Sequence, residues 1–145
     1  MTVITASTRV SAPPRDVFDY ASDRDNAMKL VEGLTKFEPL DGQSGEGARY
    51  AAEFRFGPAT FDVTLVVAEW DAGRSLAWRS ESGMRQSLSW QFRPDGSGTL
   101  VEFAIDFEPP GGMAGAMFSV TVEPTLRARA RSAVATLKRE VEGRR

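Results

Sequence analysis

The sequence predicts an α+β protein in which a curved, seven-stranded antiparallel sheet wraps around one long C-terminal helix, with two short helices after the first strand. Three observations lead there. From Ala48 to Phe107 nearly every second residue is large and apolar, the alternation of strands with one dry and one wet face. Short segments rich in Gly, Asp, Ser and Pro interrupt that alternation at hairpin spacing. Finally, Leu126, Ala130, Ala133, Val134, Leu137 and Val141 recur at three- and four-residue spacing, forming a helical stripe that can cover the dry face.

The elements follow in order. Residues 3–10 contain Val3, Ile4, Thr5, Thr8 and Val10 and read as a first strand, which Ala12-Pro13-Pro14 ends. Pro14 suits the first turn of a helix. Asp16, Val17, Phe18, Tyr20 and Ala21 make that helix amphipathic, with Asp16 where the helix dipole favours a negative charge. Asp23 or Asp25 can cap a second short helix from Asn26 to Glu32, closed by Gly33. Leu34 to Leu40 reads as strand two, and the loop 41–47 follows. Strand three places Tyr50, Ala52, Phe54 and Phe56 on one face. Strand four does so with Phe61, Val63, Leu65 and Val67, and strand five with Leu76, Trp78 and Ser80. Strand six aligns Gln86, Leu88, Trp90 and Phe92, and strand seven Val101, Phe103, Ile105 and Phe107. The last helix is expected from about Met113 to Glu142, with Pro124 kinking it or marking a boundary within it.

Composition narrows the chemistry. At 145 residues and 41% apolar content, the chain suits one domain, residues 1–145, with one core. It has no cysteine and no histidine. Disulfides, thiol nucleophiles, thiolate metal sites and the Ser–His–Asp and Cys–His mechanisms are therefore excluded. No carboxylates cluster to suggest a metal site, and no cofactor is expected. A formal net charge of −2 provides no overall field for nucleic acid or an anionic membrane. Residues 1–10 lack the basic and apolar regions of a signal peptide, and no apolar run approaches the ~20 residues that span a bilayer. The expectation is a cytoplasmic monomer or homodimer.

This order of elements resembles the helix-grip fold of the START and Bet v 1-like superfamily. Within it, the chain is similar to bacterial polyketide cyclase/dehydrase-type SRPBCC proteins. The resemblance rests on three segments: Val10-Ser11-Ala12-Pro13-Pro14-Arg15-Asp16-Val17-Phe18-Asp19-Tyr20, the loop ending at Gly45-Glu46-Gly47, and the proline-bearing last helix from Val122-Glu123-Pro124-Thr125-Leu126 to Leu137-Lys138-Arg139-Glu140. One departure is that Leu30-Val31 stands where many relatives carry a tryptophan. The resemblance implies a cavity between the concave sheet face and the last helix. Members bind lipids, polyketides, sterols or aromatic metabolites, and a minority catalyse cyclisation or dehydration. Fold alone does not choose among these.

The inner-face residues are the candidates for an apolar ligand site: Tyr50, Phe54, Phe61, Val63, Trp78, Leu88, Trp90, Phe103 and Ile105 from the strands, and Met117 and Phe118 upstream of Pro124. Each is also a possible core residue. Ser80, Gln86, the Tyr50 hydroxyl and the two indole N–H groups can orient a ligand, or bond water and backbone at the sheet rim. Tyr50 is the candidate acid/base if the chain is a cyclase. Arg79 and Arg129 lie off the apolar faces, and Arg129 can extend its stem along the helix toward solvent. The glycine-bearing segment 109–115 reads as a gate over the pocket mouth or as a plain connection. The loop 42–47 lacks the Lys-Ser/Thr pair of a phosphate loop. Arg127, Arg129, Arg131, Lys138, Arg139, Arg144 and Arg145 make the last helix basic, but they do not form one stripe. A solvated face is the better reading than a nucleic-acid or membrane surface. The function expected is binding or carriage of an apolar small molecule. A polyketide cyclase, aromatase or dehydratase is the first alternative, and an interaction module using the basic helix is the second.

Overall fold

The computed structural model describes residues 2–108 and 122–144. Seven strands form one antiparallel sheet in the order β1-β7-β6-β5-β4-β3-β2. They are β1 (Thr2–Val10), β2 (Leu34–Pro39), β3 (Arg49–Phe56), β4 (Ala59–Asp71), β5 (Ser75–Ser82), β6 (Gln86–Asp95) and β7 (Gly98–Phe107). The first two strands in sequence lie at opposite edges, so the segment between them crosses the whole concave face. That segment holds α1 (Pro14–Ser22), a 3-10 turn (Arg24–Asn26) and α2 (Ala27–Leu30). The long helix α3 (Glu123–Gly143) packs against β1 and β7 and touches α1 and α2.

The alternation read from sequence matches the burial of the inner face. Ala52 and Phe54, Val63, Leu65 and Val67, Leu76 and Trp78, then Leu88, Trp90 and Phe92, and finally Val101 to Phe107 at every second position, are all buried. The α3 stripe is buried at each of its six expected positions, and Thr136 joins it. Buried Thr99 donates its hydroxyl proton to the Ala12 carbonyl at 2.7 Å, pinning the start of β7 to the β1–α1 connection.

Several details differ from the sequence expectation. The second short helix is broken into the 3-10 turn and the four-residue α2. Asp23 caps the turn by accepting the Asp25 N–H at 2.9 Å, and Asn26 donates its side-chain amide to the Tyr20 carbonyl at 3.0 Å. Val31 is already extended. Of the two readings of Pro124, a kink or a boundary, the structure shows a boundary: it stands in the first turn of α3, where its missing N–H leaves no helical bond unmade. The expected helical residues 113–121, with Met117 and Phe118, and the segment 109–115 lie outside the described residues. Finally, β4 runs on past Val67 through a register shift between Val67 and Glu69. Such an extra residue reverses which side chains face inward. Trp70 is thereby turned toward α1, its ring edge-on to Phe18 at 5.4 Å.

Candidate functional site

The candidate site is the part of the inner face that α1 and α2 cover. An apolar cavity of about 20 Å³ lies there, walled by Ala21, Ala27, Leu30, Val31, Leu34, Phe37, Leu65, Trp78, Leu88 and Trp90. Four strands, β2, β4, β5 and β6, supply the large side chains. The two short helices and the residues after them supply small and aliphatic ones. That volume holds about one water molecule, whereas pockets for drug-sized ligands run to ~300–1,000 Å³. No ionisable side chain among the described residues lines it.

An aromatic group continues the wall. Phe37 stacks on Tyr50 with centroids 4.2 Å apart and rings 9° from parallel, and meets Trp78 edge-on at 6.4 Å. The indole N–H of Trp78 is buried and has no hydrogen-bond partner among the described residues. Leaving such a donor unpaired costs about 1–3 kcal/mol. Burial pushes the Tyr50 phenol above its ordinary pKa and nearby Asp41 acts the same way, against the opposing pull of Arg24. The hydroxyl is therefore protonated at neutral pH. It can donate a hydrogen bond, but it is a poor general base.

Of the candidate residues, Trp78, Leu88 and Trp90 meet in the cavity wall, with Tyr50 one ring behind it. Phe54, Val63, Phe103 and Ile105 are buried in the core. Trp90 is as much core as wall, lying 4.4 Å from the Phe103 ring centroid and stacked beside Phe92. Phe61 is half-buried and packs against Phe56. Ser80 and Gln86 stand elsewhere, lining an open polar groove at the sheet rim with Arg85, Ser87, Asp106 and Glu108. The Ser80 hydroxyl accepts the Gln86 backbone N–H at 3.0 Å, which closes the β5–β6 turn, while the Gln86 side-chain amide nitrogen has no partner among the described residues. The cavity residues that sequence reasoning missed are Ala21 of α1, Ala27 and Leu30 of α2, Val31 after it, Leu34 and Phe37 of β2, and Leu65 of β4. The single turn of α2 is too short to show a period, whereas α1, the strand read from Leu34 to Leu40, and Leu65 on the inner face are legible as elements but not as cavity wall.

Arg129 departs most from expectation. Its side chain is half-buried rather than extended freely into solvent. The guanidinium lies 4.6 Å over the Phe56 ring, donates to the Arg55 carbonyl, and rests on Gly33. Gly33 has φ +87°, and a Cβ there would overlap the guanidinium. Most other cations of α3 are engaged locally. Arg127 pairs with Glu123 at 2.7 Å, Lys138 pairs with Glu142 at 2.8 Å, and Arg144 lies 4.7 Å over the Tyr20 ring. No group of acidic residues able to hold a metal ion occurs among the described residues, and none of their helices is long and apolar enough to cross a membrane.

Residues 1–142 match the family described as polyketide cyclase / dehydrase and lipid transport. The chain belongs to this family. No curated protein matches it in sequence. Among solved structures it is similar to TTHA0849 from Thermus thermophilus, at 19% identity and a TM-score of 0.83 over 99% of both chains. It is also similar to the Zhui aromatase/cyclase from Streptomyces sp. R1128, at 18% identity and a TM-score of 0.72 over 97% of this chain and 95% of that one. A START superfamily protein from Mycobacterium smegmatis is 14% identical with a TM-score of 0.70, over 95% and 98% of the two chains. At such identities the likeness is one of fold. Polyketide cyclase / dehydrase and lipid transport proteins have ligand binding or cyclisation as their range of roles, and this chain falls within it.

Proposed function

We propose that this protein binds and carries an apolar small molecule, a lipid, polyketide or aromatic metabolite, on the inner face of the sheet beneath α1 and α2. The observation that carries the reading is a cavity with wholly apolar walls beside a buried, unpartnered Trp78 indole N–H. A ligand carbonyl or hydroxyl would satisfy that donor. Each ~100 Å² of ligand apolar surface withdrawn from water would add about 2.5 kcal/mol. A ligand of useful size must enlarge the space. The α2 side is suited to yield, because α2 is a single turn, and the exposed polar contacts to α3 are Lys29–Glu140 at 3.4 Å from α2 and Ser132–Glu32 at 2.7 Å from the residues just after it. Exposed pairs of this kind contribute about 0–1 kcal/mol each.

The proposal does not include catalysis, since no base among the described residues lines the cavity. A cyclase reading draws on the protonated Tyr50 hydroxyl as an acid, and turnover of a β-polyketone surrogate that vanishes in Tyr50→Phe would favour it. The direct test of binding is gentle purification, denaturation, solvent extraction and mass spectrometry of the extract. A stoichiometric apolar compound supports the proposal. A clean extract, together with no quenching of tryptophan fluorescence by apolar probes, would count against it.

A further inference from the structure

The guanidinium of Arg129 occupies an unusual position. It sits in the seam between α3 and the β2–β3 edge, half-buried, over an inner-face phenylalanine. Phe56 in turn meets Phe61 and Phe107 edge-on at 5.9 and 6.2 Å, so the cation rests on the rim of the apolar interior. Gly33, on which the guanidinium lies, is flanked by Val31 one residue beyond Glu32 and by Leu34, and both of these are cavity walls.

No carboxylate among the described residues forms an ion pair with Arg129. Glu32 is near enough to favour its charge, but its carboxylate accepts the Ser132 hydroxyl instead. Burial works against the charge and pulls the pKa below the ordinary arginine value. Arginine stays protonated regardless. The Arg55 carbonyl takes one of five N–H donors. A partly desolvated, planar fork with donors to spare is matched by a carboxylate.

We infer that the ligand is an apolar carboxylic acid whose head group pairs with Arg129 at the α3/β2–β3 seam while its body lies between the short helices and the sheet. The inference rests on the binding role proposed above and narrows it from apolar molecules in general to acids. The absence of a Cβ at Gly33 is what lets the guanidinium approach the cavity wall.

The test compares decanoate with decanol, which share an apolar body and differ in the head, by quenching of tryptophan fluorescence. The wild-type protein is expected to prefer decanoate by about tenfold, the margin of charge-assisted over neutral hydrogen bonds. Arg129→Gln should remove that preference by weakening decanoate while leaving decanol within about twofold, on the same difference in hydrogen-bond strength. Glu32→Gln leaves Arg129 in place and should tighten decanoate but not decanol, which keeps the inference open to refutation if Arg129→Gln does not fold. Equal wild-type affinities for the two probes, or a preference that survives Arg129→Gln, would overturn the acid assignment while leaving the carrier role standing. Failure of both probes to bind would overturn the carrier role and the acid assignment with it.

Discussion

The inner face of the sheet is covered in two different ways. Along β1 and β7, α3 fills the space completely. Val10, Val101 and Phe107 on the strands and Ala130, Ala133 and Leu137 on the helix have no measurable exposure. Across β4 to β6, the short helices leave a cavity, an orphaned indole N–H and a wall that mixes alanines with large rings. The contrast has a physical origin. A 21-residue helix presents a continuous stripe that interdigitates with the strands, whereas a nine-residue helix followed by a 3-10 turn and a four-residue helix cannot. One half of the face therefore supplies stability, and the other retains space. The binding role proposed above places its ligand in that space.

Substitutions can break this comparison, and the largest effect is expected on the filled half. Leu137→Ala should cost about 2–5 kcal/mol, read from chemical denaturation, and should leave the affinity for an apolar probe unchanged per folded molecule. On the open half, Trp78→Phe removes a donor that has no partner, so stability should stay within about 1 kcal/mol of wild type while probe affinity falls severalfold. Equal losses of stability in the two variants would erase the distinction. Between these lies Gly33→Ala. The left-handed backbone alone costs about 1–2 kcal/mol for an L-residue, and the added methyl group must also displace the Arg129 guanidinium. Arg129→Gln in the Gly33→Ala background should recover part of the loss, and no recovery would mean that the two do not bear on each other.

The smallest effect sharpens the account of how the filled half is fastened. Glu142 accepts the Ser11 N–H at 2.8 Å and pairs with Lys138, which also donates to the Arg9 carbonyl at 2.7 Å. The Lys138 hydrogen bond, followed by that from Ser11, holds the Glu142 carboxyl below its ordinary value of 4.5. A depressed folded-state pKa means that the contribution is complete above that value and is lost as pH falls through the folded pKa. Wild-type melting temperature should therefore drop more steeply below about pH 4.5 than that of Glu142→Gln. Parallel acid limbs in the two proteins would remove Glu142 from the account.

What can be read in the sequence follows from how long each pattern runs. Strands β3 to β7 each repeat their alternation enough times to be placed and oriented correctly, and the α3 stripe recurs from Leu126 to Val141. Trp70 is not legible, because period two carries the reading of β4 only to Val67 and an inserted residue there reverses the faces. The cavity walls on α2 escape notice because a single turn shows no period. Arg129 is misread because helical geometry places it on the flank of the stripe. Only the contact of that flank with Gly33, far away along the chain, reveals that it turns inward. Trp78, Leu88 and Trp90 are legible as inner-face residues, but whether such a residue is core or cavity wall depends on what stands opposite.

The central claim is that an apolar ligand occupies the space beneath α1 and α2, against Trp78. The chain has three tryptophans, Trp70, Trp78 and Trp90, and therefore three indole N–H resonances. The most direct measurement is to titrate ¹⁵N-labelled protein with decanoate and follow those three signals, assigned by single Trp→Phe variants. A large, saturable shift of the Trp78 signal with little change at Trp70, whose ring lies outside the cavity wall against Phe18, is the predicted result. A saturating titration that leaves the Trp78 signal in place would contradict the account.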